Sequence, residues 1–343
     1  MSEPPSLPDW SRAHGGAIFS GRIRQSAEDF AVTEVLGFEP DGDGEHDFLW
    51  IEKRNTNTVW LARQLADFAG IEARDVGYAG MKDRHAVTRQ WFSVRRPAGT
   101  PADWTALEVE GAQVLEVSRN NRKLRRGAHS GNQFRIVVRG SANSDPKTSG
   151  ELVRQRTRTI VEQGVPNYFG EQRFGREGGN LQLAEALFAG KRLKRDKRSF
   201  ALSSARAWLF NQVLQQRVEA GTWSELQAGD VAALDGSGSI FAVEELDETL
   251  EKRCRELDLH PTGPLWGESS AHQASETKVA EIFPTLVAGL EKQTKAARRS
   301  LRLAVRDLET ALEGDDLVLE FYLARGGFAT AVLREIADYE VEV

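Results

Sequence analysis

The chain has 343 residues, 40% apolar and 28% charged, with a formal net charge of −6, the balance of a soluble globular protein long enough for one large or two moderate domains. No apolar run approaches the roughly 20 residues needed to cross a bilayer, and the start, Met1-Ser2-Glu3-Pro4-Pro5, lacks the regions of a signal peptide, so a cytoplasmic protein without membrane association is expected. The single cysteine, Cys254, excludes an internal disulfide and a thiolate metal site; on a helical pattern with Leu246, Leu250 and Leu257, it reads as packing.

In chain order, alternation predicts strands at 30–36 and 47–52, then a helix over 58–69. That helix carries Leu61, Leu65 and Phe68 on one face, and Gly70 supplies a left-handed C-cap. Residues 76–80 read as a strand running into a glycine-permitted bend, and 87–94, rich in β-branched and aromatic residues, as the strand leaving it. Strands follow at 113–117 and 133–139. The second sets Phe134, Ile136 and Val138 on one side and Gln133, Arg135 and Arg139 on the other, the pattern of a half-buried sheet. The polar link 141–147 marks a loop, after which helices dominate: 152–163, 181–189, and a long helix capped by Ser199 that runs through Val218. A small hairpin, 231–234 with 239–243, interrupts them. Alternation returns over 317–323, and Gly326-Gly327 leads into a final helix with Val332, Leu333 and Ile336. Sheet, helical block and sheet again predict one domain inserted into another.

A net negative charge by itself argues against a polyanion partner, but the cations are bunched. Arg119, Arg122, Lys123, Arg125 and Arg126 form one group, Lys191, Arg192, Lys194, Arg195, Lys197 and Arg198 a second, and Lys295, Arg298, Arg299 and Arg302 a third. Three such groups on an acidic chain suggest that cations are gathered where phosphates would lie, although each could be an ordinary solvated face.

Within Gly80-Met81-Lys82-Asp83-Arg84-His85-Ala86-Val87-Thr88-Arg89-Gln90-Trp91 one aspartate stands between two fixed positive charges in a turn. Opposite charges close by favour an ionised carboxylate, which suits a nucleophile better than a proton donor; the plain alternative is a solvated turn with a surface ion pair. Lys82 and Arg84 flank Asp83 and are expected to divide their duties, so that one can meet an anionic partner. No phosphate-cradling Gly-rich loop, Cys-x-x-Cys or His-Glu-x-x-His occurs. Asp83 and His85 are badly spaced for ligation, and His14, His46, His129, His260 and His272 make no ligand set, so neither a metal nor a cofactor is expected.

Gly80, Lys82, Asp83, Ala86, Thr88 and Gln90 together resemble the signature of the TruD family of transfer RNA pseudouridine synthases. Glu28-Asp29-Phe30, Gly131-Asn132-Gln133-Phe134, the run Pro166-Asn167-Tyr168-Phe169-Gly170-Glu171-Gln172-Arg173-Phe174-Gly175, and Gly326-Gly327-Phe328-Ala329-Thr330 look like further family segments in the same order. The resemblance spans about residues 18 to 340. It implies an α+β fold: a bipartite pseudouridine synthase catalytic domain with a mixed, largely antiparallel sheet flanked by helices, interrupted by an inserted α/β TRUD domain. The boundaries expected are 1–157, 158–304 and 305–343. It implies Asp83 as the catalytic residue and Arg24 as its basic charge partner, a position read without the family as a surface residue on the first strand. Phe134 would replace the tyrosine that most pseudouridine synthases set against the base. Phe30 and Phe328 would contact substrate, and Asn132 would hydrogen-bond a base or ribose. Arg125, Arg126 and Arg173 join Lys82 and Arg84 as candidate RNA contacts, Arg173 as the exposed member of a segment otherwise read as a tight turn at a domain junction. The partner implied is transfer RNA, at uridine thirteen, with a cleft between the domains admitting the folded RNA and the protein acting as a monomer. Two rivals stay open: a noncatalytic RNA-binding or RNA-folding module, and a glycosidase, which would need a second suitably spaced carboxylate that Glu28, Asp29 and Glu34 do not obviously supply.

Overall fold

The computed structural model describes residues 8–96, 103–142, 146–268 and 274–341. The strands are β1 Phe19–Ile23, β2 Phe30–Val35, β3 His46–Arg54, β4 Val76–Tyr78, β5 Val87–Arg95, β6 Ala112–Asn120, β7 Gly131–Ala142, β8 Val165–Pro166, β9 Val231–Leu234, β10 Ile240–Ala242, β11 Leu259–Leu265, β12 Ala297–Ser300, β13 Arg302–Leu303, β14 Arg306–Glu313, β15 Asp316–Ala324 and β16 Ala337–Val341. The helices are α1 Thr58–Ala69, α2 Pro146–Gln163, α3 Gly179–Phe188, α4 Arg195–Glu219, α5 Glu248–Arg255, α6 Ala274–Ile282, α7 Pro284–Glu291 and α8 Ala329–Arg334. They fall into two compact units. One comprises the described residues of Ile18–Thr157, Arg306–Gly326 and Ala337–Val343; the other comprises those of Met1–Ala17, Arg158–Val305 and Gly327–Ile336.

The first unit is built on a ten-stranded sheet whose main path runs β14-β15-β7-β2-β5-β3-β6, with β1 joining β7 to β16 and β4 pairing with β5. Only β2–β5 and β1–β16 pair parallel among the described strands, so the sheet is mixed and largely antiparallel. Helix α1 lies on it because Leu61, Leu65 and Ala66 point at Leu49, Ile51, Phe92 and Val94. Asn57 caps its start by accepting from the amides of Val59 and Trp60, and Gly70 ends it in the left-handed region at φ 65°. Phe68, expected on the buried face, is exposed and rests its ring against Trp104. Strand β7 buries Val137 as well as Phe134, Ile136 and Val138, so its second face is partly covered.

The second unit packs α3, α4, α6 and α7 around Phe174, Trp208, Phe210 and Trp266. Trp10 stacks on Tyr168 at 5.6 Å, which is why residues near the N-terminus cluster with this unit. A four-stranded sheet, β10-β9-β11-β12, completes it. Helix α4 begins at Arg195 with Lys194 at its N-cap, so Ser199 lies inside it and caps nothing; Asp196 in the first turn suits the positive helix end and extends the helix back. The loop expected at 141–147 is shorter: 141–142 belong to β7, α2 begins at Pro146, and 143–145 lie outside the described residues. Cys254 is buried with Leu226, Ala232, Val243 and Leu259, while Leu246 and Leu257 fall outside α5. Among the described residues no helix is long and apolar enough to cross a membrane.

Candidate active site

Asp83 lies in the connection between β4 and β5, which pair antiparallel with Tyr78 opposite Phe92. The backbone of this turn is tied down from several sides. Gln90 Nε2 donates to the Gly80 carbonyl at 3.2 Å, the Lys82 amide donates to Thr58 Oγ1 at 3.2 Å, and Lys53 Nζ donates to the Asp83 carbonyl at 2.7 Å. Thr58 in turn donates to Gln90 Oε1 at 3.2 Å. The Asn55 amide reaches the Ala86 carbonyl at 3.3 Å, and Ala86 is fully buried. Of the signature residues, Gln90 and Ala86 therefore hold the main chain, leaving Asp83 to present its side chain.

The Asp83 carboxylate is 42% exposed, and Arg24 Nη2 approaches its Oδ1 at 3.2 Å from a side chain only 12% exposed. Arg24 stands just past β1 with φ 66°, a left-handed conformation that costs a non-glycine residue on the order of 1–2 kcal/mol. It is thus a largely covered, strained residue following the first strand and not a surface residue on it. Its guanidinium covers the Phe30 ring at 4.1 Å. Phe30 meets Phe134 edge-on at 6.4 Å, and Phe134 stacks on Phe321 at 5.3 Å. The structure buries Phe134 in this aromatic row, as a core residue of β7.

Lys82 is the clearest departure from expectation as an RNA contact. Its side chain is 5% exposed, pairs with buried Glu34 at 2.8 Å and donates to Asn132 Oδ1 at 2.7 Å. The Trp91 amide holds the other Glu34 oxygen at 3.2 Å. Burial raises the Glu34 carboxyl above the usual range, and Lys82 only partly offsets it. A lysine ammonium has donors only, so the Asn132 amide oxygen must face it and the amide NH2 is turned away from Lys82. Gly131, which opens β7, has no room for a Cβ, which would meet the Leu323 carbonyl and the Tyr322 hydroxyl. Beside Lys82, burial and then the charges of Lys82 and Arg325 push His129 down to about 4, leaving a neutral imidazole. Arg84, Arg125 and Arg126 are exposed, with Arg126 covering the Tyr78 ring at 3.8 Å.

Phe328 and Arg173 belong to the other unit. There the Phe169 and Phe328 rings lie 5.9 Å apart, with Arg299 at 4.3 Å and Arg173 at 5.4 Å from Phe169. Arg173 is half-buried and donates to Ser203 Oγ at 3.2 Å, which corrects its reading as the exposed residue of its segment. Burial lowers both guanidinium groups, and for Arg299 the charge of Arg173 adds to the effect.

Sequence reasoning missed Lys53 and Thr58, and weighed Glu34 only as a second carboxylate and not as the partner of Lys82. For Lys53 a signal was present: it shares strand parity with Leu49 and Ile51, which point inward. Among the described residues no group of three or more His, Cys, Asp or Glu is placed to hold a metal ion.

The model of the tRNA pseudouridine synthase D (TruD) family matches residues 15–191 and 182–336. A tRNA pseudouridine synthase D of Methylococcus capsulatus is 46% identical over 98% of this chain and 96% of its own. One of Chromohalobacter salexigens is 46% identical over 99% and 100%. A Methanosarcina mazei crystal structure described as a candidate tRNA pseudouridine synthase D superposes with a TM-score of 0.73 over 96% of both chains at 22% identity, a likeness of fold.

Proposed function

Because this chain belongs to the tRNA pseudouridine synthase D family, we propose that it isomerises a uridine of transfer RNA, at position thirteen, to pseudouridine, with Asp83 as the catalytic residue. The reaction exchanges the C1′–N1 bond for a C1′–C5 bond and moves the C5 proton to N1, so atoms and electrons balance without a co-substrate. Asp83 attacks the anomeric carbon, attacks the uracil ring, or removes a sugar proton to give a glycal. Each route needs a carboxylate at a fixed place beside an extruded base.

The observation that carries this reading is a half-exposed carboxylate on a turn whose backbone is clamped by Lys53, Thr58 and Gln90, with Arg24 alongside at 3.2 Å. Preorganised charge of this kind can act on a developing charge without reorganising at the moment of reaction. Asn132, its oxygen held by Lys82, would donate to an acceptor on the base or ribose, and Phe30, beneath the Arg24 guanidinium, would supply aromatic contact. Base extrusion costs a few kcal/mol, which such contacts offset. The glycosidase reading lacks a free second carboxylate among the acids considered for it: Glu34 is held by Lys82, Asp29 by Arg139 at 2.7 Å, and Glu28 pairs with Arg54. The segments 1–157 and 305–343 would form the catalytic part and 158–304 the family-specific part of a cytoplasmic monomer whose exposed cations, Arg84, Arg125 and Arg126 among them, meet RNA phosphates.

The test is pseudouridine formation in unmodified bulk transfer RNA, mapped by carbodiimide adduct stops, for the wild type and Asp83→Asn, with RNA binding in parallel. Product at one uridine with the wild type, and binding without product for Asp83→Asn, is the expected result. Binding without product from either protein would overturn the assignment in favour of an RNA-folding module.

A further inference from the structure

Lys53 occupies a position that an apolar residue would fill at lower cost. It sits in β3, flanked by β5 and β6 with Thr88 and Ala112 opposite it, and it is 0% exposed. Among the described residues no carboxylate forms an ion pair with its Nζ, whose hydrogen bond goes to the Asp83 carbonyl at 2.7 Å. A buried cation without a bonded counter-ion destabilises a fold, and such expense clusters where chemistry is done. The flanking residues of β3 turn away: Glu52 pairs with Arg89 at 2.8 Å, and Arg54 with Glu28. The charged groups acting on Lys53 come from the turn itself, Asp83 and Lys82.

We propose that Lys53 is the positioning residue of the Asp83 turn: its side-chain nitrogen grips the Asp83 main-chain carbonyl from inside the sheet, most strongly as the ammonium, and fixes the direction in which the carboxylate points. This rests on the reading of Asp83 as the catalytic residue. The grip acts on the backbone and leaves the carboxylate free for Arg24 and substrate. Where reacting atoms must align, a displacement of about 1 Å costs on the order of 100-fold in rate.

The environment also sets when the grip fails. Burial lowers the lysine to about 8, against Asp83, which raises it, and with Lys82, which lowers it further. As pH rises through that value the ammonium is lost and the turn is held more weakly. Stability moves the other way. Between about 8 and the ordinary lysine value of 10.5 the unfolded chain carries a proton that the folded chain does not, so unfolding becomes less favourable as pH rises. Loss of activity with gain of stability over one pH window is a signature that a merely structural lysine would not produce.

The experiment uses the full-length enzyme and unmodified transfer RNA, measuring single-turnover rate against pH, RNA affinity and melting temperature for wild type, Lys53→Met and Lys53→Gln. Expected for Lys53→Met are a rate lower by about 10- to 100-fold, unchanged RNA affinity, a melting temperature equal to or above wild type, and no alkaline fall near pH 8. Lys53→Gln, which returns a neutral donor, should recover part of the rate and still lack that fall. A Lys53→Met enzyme with wild-type rate and pH profile would overturn the proposal, as would a rate loss that merely follows a lowered melting temperature. Should neither variant fold, the wild-type profile decides, and a rate with no fall near pH 8 sinks the idea. If Asp83→Asn retains activity the functional reading itself fails; if Asp83→Asn is inactive while Lys53→Met is normal, only the role of Lys53 fails.

Discussion

Two cation-rich stretches of the helical unit look alike as sequence and end as opposites. Residues 191–198 lead into α4 and leave their lysines and arginines facing solvent. Residues 297–302 fold as β12 and the start of β13, where Arg298, Arg299 and Arg302 are drawn inward, while Lys295, ahead of β12, stays exposed. Arg298 is 12% exposed and pairs with Glu276 at 2.6 Å, and Arg302, 3% exposed, donates to His260 Nδ1 and to the carbonyls of Ser224, Cys254 and Leu259. The same residue types thus form a solvent-facing patch in one place and internal polar struts in the other. Arginine is suited to the second task because its planar fork satisfies several acceptors at once.

The contrast predicts effects of different kinds. The largest is Arg302→Leu, which strands three carbonyls and the His260–Asp235 pair: a loss of about 3–5 kcal/mol is expected, read as a lower urea midpoint, and a shift below about 1 kcal/mol would remove Arg302 from the struts. Next is Arg298→Leu, which leaves the almost fully buried Glu276 carboxylate without its arginine. A destabilisation of about 2–3 kcal/mol is expected, and the double variant with Glu276→Leu should recover most of it; additive effects in that cycle would show the pair is not coupled. Smallest in stability, within about 0.5 kcal/mol, is Lys194→Glu with Lys197→Glu. Its effect belongs to RNA binding, where the salt dependence should flatten by about 0.7–0.9 in log–log slope for each phosphate no longer neutralised. An unchanged slope would make 191–198 a solvated face and end the comparison.

Much of the architecture was legible from local pattern. The α1 helix with its Gly70 cap, the β4–β5 turn and the β9–β10 hairpin follow from periodicity and turn chemistry, which act over a few residues. The Asp83 turn was found because its signature is contiguous. What pattern missed was set by residues distant in sequence: α4 extends four residues ahead of Ser199. Lys82, read as facing RNA, is drawn inward by Glu34 and Asn132, neither of which is near it in the chain.

Contiguous motifs were enough to suggest the family, and the resemblance they carry implied the mixed fold and Asp83 with Arg24 as a candidate pair. Which cations face outward and which brace the interior, and that a lysine of β3 holds the turn from beneath, emerged only from the packed chain. Charge is a property of the residue, whereas the cost of burying it and the partner that offsets that cost exist only once distant segments are brought together.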